Sequence, residues 1–327
     1  MLGLSWRVLR ESAAIAQGLR IKIYEEWQPD LDEFLKNLPE QDIFPHELCR
    51  LLMKSPSPGG RQIIRVTERG EPVALACVKK RWGYWVPVTH EIVPGVLFPV
   101  KEGYLHRVLP ALGLPLHVEW WRWPEPPRMG RWIQHVESCT DYSMKCSEDF
   151  EAHWRKTSLI RHIKAATKRC CGFEFNVNAE NSTEWILKSW NQKWHCSRGE
   201  DVPDLGDKLM AAQYLQKKGL HYSVLLIDRD EPVAGLTFII HRNEAVGHIS
   251  YRDPKYDRCG VLNRLWEVCF WWARDMGFDG ICLGPKHEYK KRWAPERGQH
   301  MTFTVYPDIL LVGDRVAKLI GAVRRDW

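Results

Sequence analysis

No stretch of the 327-residue sequence approaches the roughly 18 to 20 uncharged apolar residues that a membrane-spanning helix needs; the most apolar windows are broken by Arg, Glu or Pro. No membrane insertion is expected. The amino-terminal stretch MLGLSWRVLRESAAIAQGLR places Arg7, Arg10 and Glu11 where a secretory signal needs an apolar run, so no signal peptide is expected either. The ten cysteines are scattered without any Cys-x-x-Cys spacing. That supports neither a zinc ribbon nor a disulfide framework, leaves no metal expected, and suits reduced thiols in a cytoplasm. Charge of one sign is scarce too: 47 Lys+Arg against 41 Asp+Glu give +6, which suits an anionic ligand without identifying a nucleic-acid binder.

Tryptophan is what the chain has in excess, with 17 residues, beside 20 prolines in a composition that is 44% hydrophobic and 27% charged. Disordered and collagenous classes are excluded, and the length argues for two domains of about 150 residues each. The tryptophans, among them Trp271-Trp272, enlarge either a core or an apolar cleft.

An internal echo supports the two-domain reading. Arg69-Gly-Glu-Pro-Val-Ala74 recurs 160 positions later as Arg229-Asp-Glu-Pro-Val-Ala234. Each copy is a polar turn between β-rich runs: 62–66 and 75–78 around the first, 222–227 and 235–240 around the second. A third run follows each, at 84–88 and 245–251, so a β-meander built twice is predicted. In the second half a polar loop, 252–260, leads to a helix over 261–276 that stops at Gly277, then to a strand over 278–283 closed by Gly284-Pro285. In the first half the matching region is irregular, with a short helix over 104–112, a strand over 116–121, and Pro94, Pro99 and Pro110 where a phosphate loop and its helix would fall. Between the halves a long helical stretch is predicted over 148–169. Leu159, Ile163, Ala166 and Cys170 mark its buried face, and Arg161, Lys164 and Lys168 form either a solvated face or an anion-facing wall.

A strand opening into a polar loop whose glycine begins a helix is a phosphate site on physical grounds, because the first amides of a helix lack partners and its dipole is positive there. Arg258-Cys259-Gly260, with Arg252 and Lys255 upstream, has that form.

The order hairpin, strand, loop with Gly, helix, short strand, then Glu288-Tyr289-Lys290-Lys291-Arg292-Trp293 resembles the second half of the tandem GNAT acetyltransferases of the BioF2-like or CelD-like group, relatives of the Fem aminoacyltransferases. Arg161-His-Ile-Lys164 with Lys168-Arg169 is similar to the basic helix opening that family's second unit, and Trp190 to Trp194 with Arg198-Gly199 is similar to its following segment. The resemblance implies an α/β (α+β) fold of two GNAT-like units, each a mixed, mostly antiparallel sheet flanked by helices: residues 1–147, degenerate, and residues 148–327, donor-binding. It implies transfer of an acyl group from a thioester such as acyl-CoA to an amine, a small molecule or peptide, in the cleft between the units. By the resemblance, 245–251 is the strand that splays from its neighbour, and Arg252, Arg258, Cys259 and Gly260 bind the donor's phosphates. The loop departs from the family's Gln/Arg-x-x-Gly-x-Gly/Ala, and Arg292-Trp293 replaces the Gly-Phe that follows the aromatic-Lys pair in Fem relatives.

Acyl transfer needs a base for the ammonium proton, donors for the oxyanion and an acid for the leaving thiolate. His248, Asp253 and Asp257 are the candidate bases, Tyr251 and Tyr289 the candidate acids, and Lys290 the charge for phosphate or oxyanion. Asp253 is equally a turn residue, His248 equally a strand residue, and Lys290 equally part of a solvated basic turn. Trp194 and Arg161 are candidate substrate contacts. Two alternatives stay open: an aminoacyl-tRNA-dependent Fem-like transferase, which the basic face favours and the missing 40-residue coiled-coil arm disfavours, and a non-catalytic GNAT-fold binding protein.

Overall fold

A computed structural model describes residues 10–41, 43–55, 60–81, 84–93, 97–121, 133–196, 204–285 and 287–305. Pro94, the Arg198-Gly199 pair and the first nine residues lie outside them. The chain forms two compact units, residues 1–138 with 301–327 and residues 139–300. The sequence division at 147/148 compares with this one at 138/139, and residues from 301 on return to the first unit because the last strand pairs there.

The first unit is a six-stranded sheet. Its strands are β1 (Arg20–Tyr24), β2 (Arg61–Glu68), β3 (Glu71–Arg81), β4 (Tyr84–Pro87), β5 (Leu116–Trp121) and residues 301–305 of β12 (Glu296–Val305), in the order β1-β2-β3-β4-β5-β12. Among the described residues of this unit, only β4 and β5 run parallel. Helices α1 (Pro29–Lys36) and α2 (His46–Lys54) join β1 to β2, and α3 (Leu105–Ala111) joins β4 to β5.

The second unit repeats that order. Residues 141–145 of β6 (Ile133–Lys145) pair with β11 (Gly280–Pro285), followed by β10 (Glu244–Arg252), β9 (Glu231–His241), β8 (His221–Asp228) and β7 (Glu174–Val177), with β10 and β11 the parallel pair. Its helices are α4 (Phe150–Lys156), α5 (Ile160–Arg169), α6 (Ser182–Trp194), α7 (Leu205–Lys217) and α8 (Val261–Asp275).

The echo is visible in the hydrogen-bond register. Val66 pairs with Ala74, Thr67 with Pro72 and Glu68 with Glu71; 160 positions on, Leu226 pairs with Ala234, Ile227 with Pro232 and Asp228 with Glu231. The register shift beside Pro72 recurs beside Pro232, where a residue without an N–H cannot continue the ladder. The next hairpin keeps the same offset: Arg81 opposite Tyr84 through Val78 opposite Pro87 match His241 opposite Glu244 through Phe238 opposite Gly247.

Side chains alternate across the second sheet. Val224, Leu226, Leu236 and Phe238 pack with Leu265, Trp266, Cys269 and Trp272 of α8, while Leu225 and Ile249 pack with Ile186 and Leu187 of α6. Part of the excess tryptophan goes into this core. Trp154, Trp266, Trp272 and Trp293 are buried, and the Trp154 indole N–H donates to the Trp293 carbonyl at 3.1 Å.

Two predicted elements differ. The helix expected over 148–169 is two helices, because Ser158, after the last turn of α4, takes a left-handed φ of 57°; beside the break the Thr157 hydroxyl donates to the Arg292 carbonyl at 2.8 Å. The strand expected to close at Gly284-Pro285 runs through both. A bulge after Cys282, with Gly284 at φ 75°, brings Pro285 opposite Asp141 of β6.

Candidate functional site

The parallel pairing of β10 with β11 spans Glu244–Gly280 to Val246–Cys282 and ends there. Beyond it β10 continues to Arg252 along β9 alone, through a register shift between Gly247 and Ser250 that holds His248. The two strands therefore part company at Val246 and Cys282. His248 is half-buried in this irregular stretch.

Past Arg252 the chain makes a 3-10 turn, Pro254–Cys259, and enters α8 through Gly260. Gly260 is required there twice over. Its φ is 74°, and a Cβ would stand 3.2 Å from the Ala166 Cβ of α5. The last turn of α5 fixes the loop from that side: the Arg169 guanidinium donates to the Arg258 carbonyl at 3.0 Å, and Cys170 Sγ lies 3.8 Å from the Cys259 carbonyl oxygen. Arg258 is exposed and Cys259 half-buried. Arg252 forks onto Asp257 at 2.6 and 3.2 Å. Asp253 accepts the Lys255 amide at 2.9 Å and meets the Lys255 ammonium at 3.3 Å, so both of its oxygens serve the turn. These residues fit an anion at the α8 amino terminus, with Arg258 and the first-turn amides as donors.

Tyr251 meets Trp185 of α6 edge to face at 5.3 Å, and burial pushes its phenol above the ordinary 10.0. The α6 helix comes this close because Gly235 has no side chain: a Cβ there would stand 2.5 Å from Ile186. At its carboxyl end Trp194 is 42% exposed, and the Lys193 ammonium lies over the rings of Trp194 and Tyr251 at 5.3 and 5.6 Å. Lys193 also donates to the Arg252 carbonyl at 3.4 Å. Burial, then the Arg252 charge, lowers its pKa below 10.5. Lys193 escaped the sequence reading, although Trp194 beside it did not; nothing in the spacing distinguishes it from Lys188 earlier on the same helix.

After β11 the turn Glu288–Arg292 carries Tyr289 and Lys290. Tyr289 is 45% exposed, stacks on His287 at 5.9 Å, and has its phenol pushed up by burial while the Arg252 charge opposes that shift. Lys290 is 8% exposed. Burial takes its pKa from 10.5 to about 8, against the attraction of Cys282 and Asp141. The turn thus lies beside the ends of both diverging strands, and Lys290 is no solvated cation.

Tyr251, Arg252, Lys193, Trp194 and Tyr289 are brought to one place, with Arg258, Cys259 and Gly260 on the loop that follows. Arg161 is exposed in the first turn of α5, whereas the loop meets the last. Among the described residues no group of three or more His, Cys, Asp or Glu is placed to hold a metal ion, and no helix is long and apolar enough to cross a membrane.

Two such units in succession, each a mixed sheet flanked by helices, make up a fold that solved structures share. Solved structures sharing it include L-PGS from Bacillus licheniformis, 14% identical over 92% of this chain and 99% of that one, TM-score 0.50. Another is the C-terminal domain of a putative lysylphosphatidylglycerol synthetase from Agrobacterium fabrum, 10% identical over 89% and 96%, TM-score 0.51. A conserved protein of unknown function from Bacteroides thetaiotaomicron is 12% identical over 87% and 99%, TM-score 0.50. At such identities the likeness is one of fold. No protein-family model matches the chain, and no curated protein matches it.

Proposed function

We propose that the second unit transfers an acyl group from a thioester donor, an acyl-CoA, to an amine. The observation that carries this reading is the divergence of β10 from β11 beyond Val246 and Cys282, with a glycine-headed helix at the end of one strand and a buried lysine beside the other. Donor phosphates would rest on Arg258 and the amides at the start of α8, and the thioester would lie between the strands. Lys290 would stabilise the oxyanion, in a setting where burial strengthens its field. Tyr251, whose phenol keeps its proton at neutral pH, would give that proton to the leaving thiolate. The base would be His248, since Asp253 already holds Lys255.

The exposed Arg161, Lys164 and Lys168 on α5 support a second reading, in which the donor is an aminoacyl-tRNA. Thermal unfolding with acetyl-CoA, a longer acyl-CoA and a charged tRNA separates the two. A donor at one hundred times its Kd adds about 2.7 kcal/mol, so stabilisation by an acyl-CoA is expected. Stabilisation by charged tRNA alone would transfer the proposal to the second reading, and none by any donor would leave a binding protein.

A further inference from the structure

The first unit holds two thiols that the proposed reaction does not use. Cys49 lies on the buried face of α2 with Leu48, Leu52 and Met53, and Cys77 lies in the middle of β3. Both are fully buried, and their sulfurs are 3.4 Å apart. The two residues are separated by 28 positions and belong to different elements, so no short cysteine motif marks them in the sequence. Cys77 is the fixed member of the pair: it stands opposite Ile63 of β2, and its carbonyl accepts the Val88 amide at 2.9 Å. Cys49 is brought to it by the docking of α2.

Two thiols can pack simply as small apolar groups. The contact distance allows more. A disulfide needs its sulfurs about 2.05 Å apart, roughly 1.4 Å nearer than they stand, which is within the reach of side-chain rotation and a small slide of a helix. With the partner sulfur held in contact, closure of the bond is intramolecular and outcompetes any small thiol in solution.

We propose that Cys49 and Cys77 form a site of reversible oxidative modification, cross-linked by a low-molecular-weight disulfide such as glutathione disulfide. The Cys49 thiolate attacks one sulfur of the oxidant, whose S–S bond breaks and releases one thiolate. The Cys77 thiolate then attacks the Cys49 sulfur of the mixed disulfide and displaces the second. The two protein thiols lose two electrons and two protons, and the oxidant takes them up as two thiols. The product ties α2 to β3; a dithiol reductant reverses the exchange. In the closed unit the hydrogen bond to Cys49, and then burial, hold the Cys77 thiol well above its ordinary 9.0, so the undisturbed pair stays protonated and reaction proceeds from the state in which α2 has lifted from the strand. The site belongs to the first unit and is independent of the acyl-transfer reading.

The test incubates the whole protein with glutathione disulfide in urea below the unfolding midpoint, which raises the opened fraction. Free thiols are then alkylated, and unreduced peptides are mapped by mass spectrometry. A peptide pair linked through Cys49 and Cys77 is expected, lost on treatment with dithiothreitol, while glutathione on the exposed Cys171 and Cys196 reports that the reagent reached the protein. After removal of urea the linked protein should melt about 5–10 °C above the same sample reduced with dithiothreitol, because the bond closes a long loop in the unfolded chain. Cys49→Ala and Cys77→Ala should each lack both the linked peptide and that difference. The mapping is made on the wild type, so it decides the matter even where a variant fails to fold. Alkylation of both thiols while Cys171 and Cys196 carry glutathione, a mixed disulfide that persists at Cys49 or Cys77, a bond from either to another cysteine, or a linked protein that melts no higher overturns the proposal.

Discussion

The two units share a register residue for residue up to Pro87 in one and Gly247 in the other, and then differ in how they fill the same space. In the second unit residues 248–251 lead from Gly247 to Arg252, which pairs with Ala234; in the first, residues 88–99 lead from Pro87 to Val100, which bridges to Ala74 at the matching position. The longer segment places Val88, Ile92, Val93, Leu97 and Phe98 in the interior, where the second unit has only a short bulge. The helix that follows is 7 residues in the first unit and 15 in the second. One tether survives in both: Tyr104 donates to Glu68 at 2.6 Å and Tyr256 to Asp228 at 3.1 Å, the two acids standing 160 positions apart. A duplicated scaffold can thus keep its hairpins and lose its opening, and on our reading only the second unit accepts a donor.

That contrast can be broken most forcefully at Lys290. Its replacement by Met should lower turnover by about 10²–10³, the scale of one lost oxyanion donor, and turnover of the wild type should fall as pH rises through about 8, where Lys290 loses its proton. A pH–rate profile of both proteins checks this. The same shift has a consequence for stability. Between pH 8 and 10.5 the unfolded chain holds a proton that folded Lys290 has released, so stability should rise with pH across that window, by about 3 kcal/mol in all. Urea unfolding at several pH values, with Lys290→Met lacking the rise, reads it directly. Arg258→Ala should weaken the donor about tenfold in titrations, as loss of a charge-assisted phosphate contact would. Arg107→Ala in the first unit, which removes a 2.6 Å contact to Glu68, should leave donor affinity unchanged. The smallest effect compares two glycines. Gly260→Ala meets Ala166 at 3.2 Å as well as a φ of 74°, whereas Gly103→Ala meets open space at φ 75°. The first should cost roughly 1 kcal/mol more than the strain of about 1–2 kcal/mol the two share, and thermal melts of both variants would show it.

Much of this architecture is legible in the chain. The repeated Glu-Pro-Val-Ala marks both hairpins because proline at a strand entrance forces the same register shift each time, and the 3.6 periodicity of Leu262, Leu265, Trp266, Cys269 and Trp272 marks α8 up to Gly277. What escapes are features set by distant partners. The break at Ser158 lies where Thr157 meets the Arg292 carbonyl from far along the chain, and the passage of β11 through Pro285 brings it opposite Asp141 of β6. No local propensity reports either. The candidate site divides the same way: the glycine-headed loop follows from spacing, but the burial of Lys290 and the placing of Lys193 over two rings arise only from packing.

Amide hydrogen exchange of the whole protein with and without saturating acyl-CoA tests the central claim most directly, since it reads both units in one sample. Slowed exchange over residues 248–262 and 287–292, with residues 88–105 unchanged, is the predicted result. Protection confined to residues 88–105, or equal in the two units, would contradict the assignment of the donor site to the second unit.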